Sequence, residues 1–253
     1  MGAGRLQSLP AFIILHMFSW VEKAYAKCIG EKAMEYFQDL NKLGSLLGEL
    51  LGGSLVTIEV WALTLLFALP LGLLICQMRL SKNKVFVGIS KLYIFYFRGT
   101  PLMLQLLFMF FGIPLIIGVT FGREVAAILA FILNYAAYFA EIYRGGIQSI
   151  PRGQYEAAHV LGLSGKVTFT KIILPQVIKR ILPPLGNETI TLVKDTALVY
   201  AIAMNDILKE AKIAVLRDVS IMPFVVAAVF YLVMTGLLTK LLNVIERKFA
   251  YYR

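Results

Sequence analysis

Five polar side chains interrupt two long apolar stretches of this sequence. Asn134, Tyr138 and Glu141 follow one another at spacings of four and three residues, so an α-helix places all three on one face. Lys194 and Asp195 are adjacent in the second stretch, where neighbouring helical positions point about 100° apart and face different surroundings. Polar groups are costly inside a bilayer and tend to line a cavity. These residues are therefore the candidate contacts for a polar ligand.

Each carboxylate also has a structural interpretation, which the sequence leaves open. Glu141 can form an i, i+3 ion pair with Arg144, and Asp195 or Lys194 can pair with Glu188 or with a neighbouring helix. No nucleophile–base set, metal cluster or catalytic carboxylate pair occurs at a recognisable spacing. We therefore predict neither catalytic nor metal-binding residues.

Composition assigns the chain to the membrane proteins. Of its 253 residues, 59% are hydrophobic and 16% are charged, and the mean hydropathy is +0.76, which does not suit a soluble domain. The net charge of +10 is concentrated in a few loops, so it indicates orientation and argues against nucleic-acid binding. Cys28 and Cys76 lie far apart and predict neither a disulfide framework nor a metal site.

About 20 apolar residues are needed to cross a bilayer. Uncharged runs of suitable length occupy residues 60–78, 99–122, 125–140 and 219–239. A fifth, more polar span is predicted to begin at the helix-starting pair Pro183-Pro184 and to continue to about Met204. The predicted fold is therefore all-α, with five transmembrane helices.

Loop charges give the orientation of these spans. Residues 79–98, 144–180 and 247–253 carry an excess of Lys and Arg, whereas residues 123–124 and 206–218 are nearly balanced. Because cytoplasmic loops carry the positive excess, we expect the N-terminus outside and the C-terminus in the cytoplasm.

The N-terminal region is harder to interpret. Residues 9–20 with an A-x-A-like site at Ala24-Tyr25-Ala26 resemble a signal peptide, although Glu22 and Lys23 interrupt the approach to that site. The alternative, which we favour, is an uncleaved amphipathic segment at the membrane interface. We assign residues 1–49 to an N-terminal extension, residues 50–245 to the transmembrane domain and residues 246–253 to a cytoplasmic tail.

The loop between the third and fourth spans has a distinctive spacing. It reads E-A-A, three residues, G, nine residues, I, one residue, L-P. Its fixed positions are Glu156, Ala157, Ala158, Gly162, Ile172, Leu174 and Pro175. A helix over residues 152–161 can end at Gly162 with positive φ, and a second short helix over residues 166–173 is expected to stop at Pro175. Two short helices joined by a glycine turn predict a rigid knob in the cytoplasm.

This loop resembles the docking loop of bacterial ATP-binding-cassette (ABC) import permeases, through which a membrane subunit receives motion from a separate ATPase. The resemblance extends over roughly residues 50–231 and is closest to the polar amino-acid permeases. Its further matches are FRGTP at residues 97–101 with Gln105, AYFAEIYRGGI at residues 137–147, IPRGQ at residues 150–154 and LVKDTAL at residues 192–198. The N-terminal extension departs from the family pattern.

The resemblance implies a type I importer permease fold with a cytoplasmic coupling loop, in a multi-pass protein of the bacterial cell membrane. The implied partners are ABC ATPase subunits, a second permease subunit that is identical or related, an extracytoplasmic solute-binding protein, membrane lipid and an amino-acid substrate. ATP and Mg would be bound by the ATPase, because Gly165-Lys166 is followed by Val167 where a phosphate-binding loop needs Ser or Thr. No cofactor is expected in this chain.

Within that picture, Asn134, Tyr138, Glu141 and Asp195 are the predicted substrate contacts. Two carboxylates would suit the ammonium group of any amino acid and especially a cationic side chain, so we expect a basic amino acid. The alternatives are an ion-driven secondary transporter, which commonly has internal repeats, and a membrane assembly subunit that transports nothing.

Overall fold

The computed structural model describes residues 39–248, and every regular element in that part of the chain is helical. The signal-like segment and the last residues of the tail lie outside the described residues. The α-helices are α1 (Leu40–Arg79), α2 (Lys84–Gly99), α3 (Leu102–Leu107), α4 (Ile113–Ile117), α5 (Arg123–Gln148), α6 (Arg152–Val160), α7 (Gly165–Val167), α8 (Leu174–Asp195), α9 (Ile207–Asp218) and α10 (Met222–Lys248). Two π-helices (Phe108–Gly112 and Thr168–Ile173) and a 3₁₀-helix (Thr196–Ile202) connect some of them. The prediction of an all-α protein is confirmed.

Three of the predicted spans correspond to long apolar helices. By length and composition, α1, α5 and α10 can each cross a membrane. The span predicted over residues 99–122 is not a single straight helix. Helix α2 and the helical run over residues 102–117 form a bent pair, with an angle of 105° between them. Because α8 carries Glu188, Lys194 and Asp195, the total of five spans stays a prediction.

The prolines do not mark helix boundaries where the sequence predicts them. Pro183 and Pro184 lie inside α8, which begins at Leu174, so the predicted helix start at these prolines is wrong. Pro175 likewise does not stop a short helix, because the chain is helical from α7 through α8. A proline in a helix clashes with the carbonyl four residues earlier, and here that residue, Lys171, lies in a π-helix, whose wider turn relaxes the clash.

The core forms where α1 crosses α5. Gly72 of α1 lies so close to α5 that an added Cβ would come within 2.8 Å of the Phe139 Cβ and 3.0 Å of the Ala136 carbonyl oxygen. The large side chains of Phe131 and Tyr135 are buried beside this crossing. Small residues that allow backbones to approach closely are typical of helix contacts in membranes. This crossing positions the polar face of α5.

Helix α9 is docked against the N-terminal half of α1. The carboxylate of Asp206 caps α9 by accepting hydrogen bonds from the backbone N–H groups of Leu208 and Lys209 at 3.2 and 3.1 Å. Burial raises the pKa of this carboxyl to about 6, although those bonds oppose the shift. At the other end of α9, Arg217 forms an ion pair with Glu49 of α1 at 2.7 Å.

Gly53→Ala is expected to destabilise this docking by about 1–3 kcal/mol, the usual cost of overpacking. An added Cβ at Gly53 would lie 2.8 Å from the backbone of Asp206 and Ile207, and backbone cannot move aside as a flexible side chain can. The matched control is Gly52→Ala, because nothing lies within 4 Å of that position. Thermal unfolding in detergent should show a loss for Gly53→Ala alone; equal midpoints for the two variants would contradict the packing argument.

Candidate functional site

Asp195 lies where α8 changes its helical form. The α-helix ends at Asp195 and continues as a seven-residue 3₁₀-helix, which is longer than such segments usually are. The Tyr135 hydroxyl of α5 donates a hydrogen bond to Asp195 Oδ2 at 2.7 Å. An acidic group is thereby fixed against α5 at an irregular point of a helix, an arrangement that transporters use for ligand sites.

Tyr138 lies one helical turn from Tyr135, and the two ring centroids are 6.2 Å apart. The guanidinium of Arg98, at the C-terminal end of α2, stacks over the Tyr138 ring with its central carbon 5.0 Å from the centroid. This cation–π contact brings a positive charge to the same face of α5. The sequence alone does not single out Arg98, because its charge belongs to the positive excess of residues 79–98.

Asn134 stabilises the bend between α2 and α3. Its side-chain amide donates hydrogen bonds of 2.9 Å to the Phe97 carbonyl and to Gln105 Oε1. The Gln105 amide in turn donates to the carbonyls of Phe97 and Thr100 at 3.0 and 3.1 Å. Both amide side chains are about 5% exposed or less. They satisfy carbonyls that the broken helix, interrupted by Pro101, leaves without helical partners.

Glu141 is engaged by two basic residues, Arg144 of the same helix and Arg79 of α1. Arg144 donates from Nε to Glu141 Oε1 at 2.9 Å and from Nη2 to Oε2 at 2.5 Å, and Arg79 of α1 lies 4.0 Å from the same carboxylate. This geometry is the i, i+3 pair that the sequence left open as an alternative. Of the four predicted substrate contacts, the structure therefore brings Tyr138 and Asp195 close to Arg98 and Tyr135, while Asn134 and Glu141 have protein partners of their own.

Helix α8 presents two polar stripes. Glu188 and Asp195 are seven residues apart, which places them on one helical face. Both are half-buried, and Asp195 contacts α5 through Tyr135. Asn187 and Lys194, again seven apart, are exposed on the adjacent face. Lys194 borders a groove whose other walls are mainly apolar residues of α10. One stripe thus faces the interior of this chain and the other faces away from it.

The predicted coupling loop forms a compact knob. Helix α6 ends at Val160, and the chain turns at Gly162 with φ +69°. The N–H groups of Gly162 and Leu163 donate to the carbonyls of His159 and Ala158 at 2.9 and 3.0 Å. These two bonds define a Schellman cap, so the predicted glycine turn is confirmed. The chain then re-enters a helical run at α7.

The seven matched positions of the loop divide between surface and interior. Glu156, Ala157 and Gly162 are exposed, whereas Ala158 is 2% exposed. Ile172, Leu174 and Pro175 are half-buried, near a small core formed by Ile150, Ile173 and Val177. Two side chains beside the motif are the most exposed of the large apolar residues in the knob: Val160 at 86% and Leu161 at 75%. Sequence reasoning missed them, because an amphipathic helix was expected to turn its apolar residues inwards.

Gly162→Asp is expected to reduce ATP-driven transport several-fold while the protein still folds. An added Cβ meets nothing within 4 Å, and both Asp and Asn tolerate positive φ. The matched control Gly162→Asn therefore separates the effect of the charge from that of the backbone. Uptake into proteoliposomes and thermal unfolding should be measured for both variants; equal uptake by the two would mean that the knob's surface charge is irrelevant to coupling.

Comparison with known proteins gives a consistent result. Residues 68–251 match the family described as the inner membrane component of binding-protein-dependent transport systems. A Rickettsia bellii protein named as a glutamine transport system permease is 35% identical, over 78% of this chain and 90% of its own length. The arginine transport system permease protein of Bacillus subtilis is 36% identical, over 79% and 91%.

A solved structure has the same fold. It is a crystal structure of an amino acid ABC transporter with histidines, and it superposes with a TM-score of 0.77 at 34% sequence identity. The match covers 83% of this chain and 98% of the other.

Proposed function

This chain belongs to the family of binding-protein-dependent transport system inner membrane components, and we propose that it forms the translocation pathway of an ATP-driven ABC importer for polar amino acids. The observation that carries the proposal is the coupling knob. It has a capped helix, a fixed glycine turn and an apolar surface that no other described part of the chain covers. The secondary transporter and the assembly subunit give no account of that surface.

An ABC ATPase is the partner proposed for the knob. Val160 and Leu161 are among the most exposed large apolar residues of the described chain, and such exposure next to a rigid motif is typical of an interaction site. Ala157 beside them allows a partner surface to approach closely. ATP and Mg would be bound by that partner, and its closure would push the knob and rock the helices.

A second permease subunit is proposed to cover the exposed polar stripe of α8, which contains Asn187 and Lys194. A charged side chain such as Lys194 is costly against lipid, and Asn187 adds a polar amide to the same face. A polar pathway between two subunits accounts for both residues. The second subunit is an identical chain or a related one. An extracytoplasmic solute-binding protein would deliver substrate at the opposite end from the knob, with the N-terminus outside and the C-terminus in the cytoplasm.

The proposed substrate is a polar amino acid. The relatives named above concern glutamine and arginine, and the half-buried acids Glu188 and Asp195 of this chain offer negative charge to an ammonium group. A basic amino acid, with a second positive charge, would suit these two acids best.

The test is to purify the chain from membranes with its partners, identify them by mass and measure ATP hydrolysis. We expect a co-purifying ATPase whose activity rises when the substrate-loaded binding protein is added. Uptake into proteoliposomes should require ATP on the side of the membrane where the knob lies. It should not require an ion gradient. Uptake driven by a proton or sodium gradient without an ATPase would support the secondary transporter and reject the proposal.

A further inference from the structure

Arg98 stands at the broken end of α2 without an ion-pair partner in the described chain. Among residues 39–248, no carboxylate lies within 4 Å of its guanidinium, and its defined contact is the face of Tyr138 at 5.0 Å. The nearby acid Glu141 is occupied by Arg144. A guanidinium carries five N–H donors in a planar fork, which matches the two oxygens of a carboxylate. Arg98 is therefore a cation whose donors are available to a ligand.

The backbone around Arg98 is held by two buried amides. The carbonyls of Phe97 and Thr100 bracket Arg98, and both accept hydrogen bonds from Gln105, while Asn134 also donates to Phe97. The same Asn134 side chain donates to Gln105, which makes the two amides one connected unit. Because Asn134 lies one helical turn before Tyr138 on the same face of α5, this unit fixes the end of α2 directly beside the ring over which Arg98 stacks.

Positive and negative groups lie along one aromatic pair. Arg98 stacks on Tyr138, the Tyr138 ring is 6.2 Å from that of Tyr135, and Tyr135 holds Asp195 by a 2.7 Å hydrogen bond. Glu188 shares the helical face of Asp195. A free amino acid carries a carboxylate and an ammonium group, so its charges match a site with a cation beside Tyr138 and an acid beside Tyr135.

Resting on the proposed function, we propose that Arg98 binds the α-carboxylate of the transported amino acid and that Asn134 and Gln105 are positioning residues, which hold Arg98 in place. Asn134 then serves the substrate site indirectly, through the backbone of Phe97, and its amide does not touch the substrate. The selectivity that follows is for free amino acids over their α-amides, which lack the negative charge.

The test measures amino-acid binding to the chain purified with its ATPase. The solute-binding protein is left out, so that only the site in the membrane subunit contributes to the measured Kd. The probes are L-arginine and L-glutamine, each compared with its α-amide. Wild type should prefer the acid, and Arg98→Met should raise the Kd for the acid about tenfold, as loss of a charged hydrogen bond predicts, with little change for the amide. Lys91→Met, an exposed cation seven residues earlier in α2, should leave the preference intact.

A retained preference for the acid in Arg98→Met overturns the proposal, as does loss of that preference in Lys194→Met instead. Failure of the proposed function is distinguishable, because the wild-type assembly would then show no ATP-driven uptake of either amino acid with the binding protein present.

The positioning role is tested by a double-mutant cycle. Asn134→Leu should weaken binding of the acid in the wild-type background and add no further loss in the Arg98→Met background, because it acts through Arg98. The maximal ATPase rate of the Asn134→Leu assembly should stay close to that of the wild-type assembly. Additive losses in the two backgrounds would mean that Asn134 is only structural or binds substrate independently, and would overturn this part of the proposal.

Discussion

Leu161→Glu is expected to lower ATP-driven uptake to about a hundredth of the wild-type value, the effect of removing a central apolar contact from a protein interface. Leu161 is 75% exposed at the end of α6, so the change removes little packing within this chain. It instead places a charge where the proposed ATPase would have to bury it. The measurement is uptake together with recovery of the ATPase on purification.

The matched control is Leu161→Met, which keeps an apolar side chain of similar volume and should retain most of the uptake. Thermal unfolding of the two variants should agree with wild type within about 0.5 kcal/mol, as is usual for surface changes. If Leu161→Glu transports normally, the knob is not the coupling surface, and the assignment of residues 156–175 fails with it.

Asp195→Asn is expected to weaken substrate affinity about thirtyfold, in line with the loss of one member of a desolvated charge pair. The Tyr135 hydroxyl can still donate to the amide oxygen of the variant, so the helix contact at 2.7 Å is retained while the negative charge is lost. The fold should therefore persist, and the effect should appear in KM more than in the rate at saturation. Uptake at a series of substrate concentrations separates the two quantities.

Glu141→Gln is the matched comparison, because it removes the same charge from a carboxylate that Arg144 already engages on both oxygens. Its KM should stay near the wild-type value, whereas its thermal stability should fall, since Arg144 and Arg79 lose their common partner. A large rise in KM for Glu141→Gln with no change for Asp195→Asn would reverse the assignment. Full uptake by both variants would mean that neither carboxylate binds substrate.

Prediction from sequence worked best for features encoded by contiguous residues. The turn after α6 is one example: α6 and the positive φ of Gly162 depend on neighbours within a few positions, and the helix and turn rules act over that range. Prolines are the counterexample. Their local rule predicts a helix end at Pro175 and a helix start at Pro183-Pro184, but packing of α8 against α5 and α10 and a preceding π-helix keep this segment helical.

Candidate contacts inside the membrane were predicted less completely. Polarity identified Asn134, Tyr138, Glu141 and Asp195 as unusual, but it could not tell a group with a protein partner from one open to a ligand. That difference depends on which helices lie side by side.

The sequence by itself determined the class of protein, three long apolar helices and the helix with its glycine turn at residues 152–162, because mean hydropathy, apolar run length and short motifs are properties of the chain before it folds. Only the tertiary structure decided the partners of the polar residues. Asn134 meets the carbonyl of Phe97 across 37 positions, and Tyr135 meets Asp195 across 60. Hydrogen bonds act over about 3 Å, so pairs this distant in sequence are set by how the helices pack.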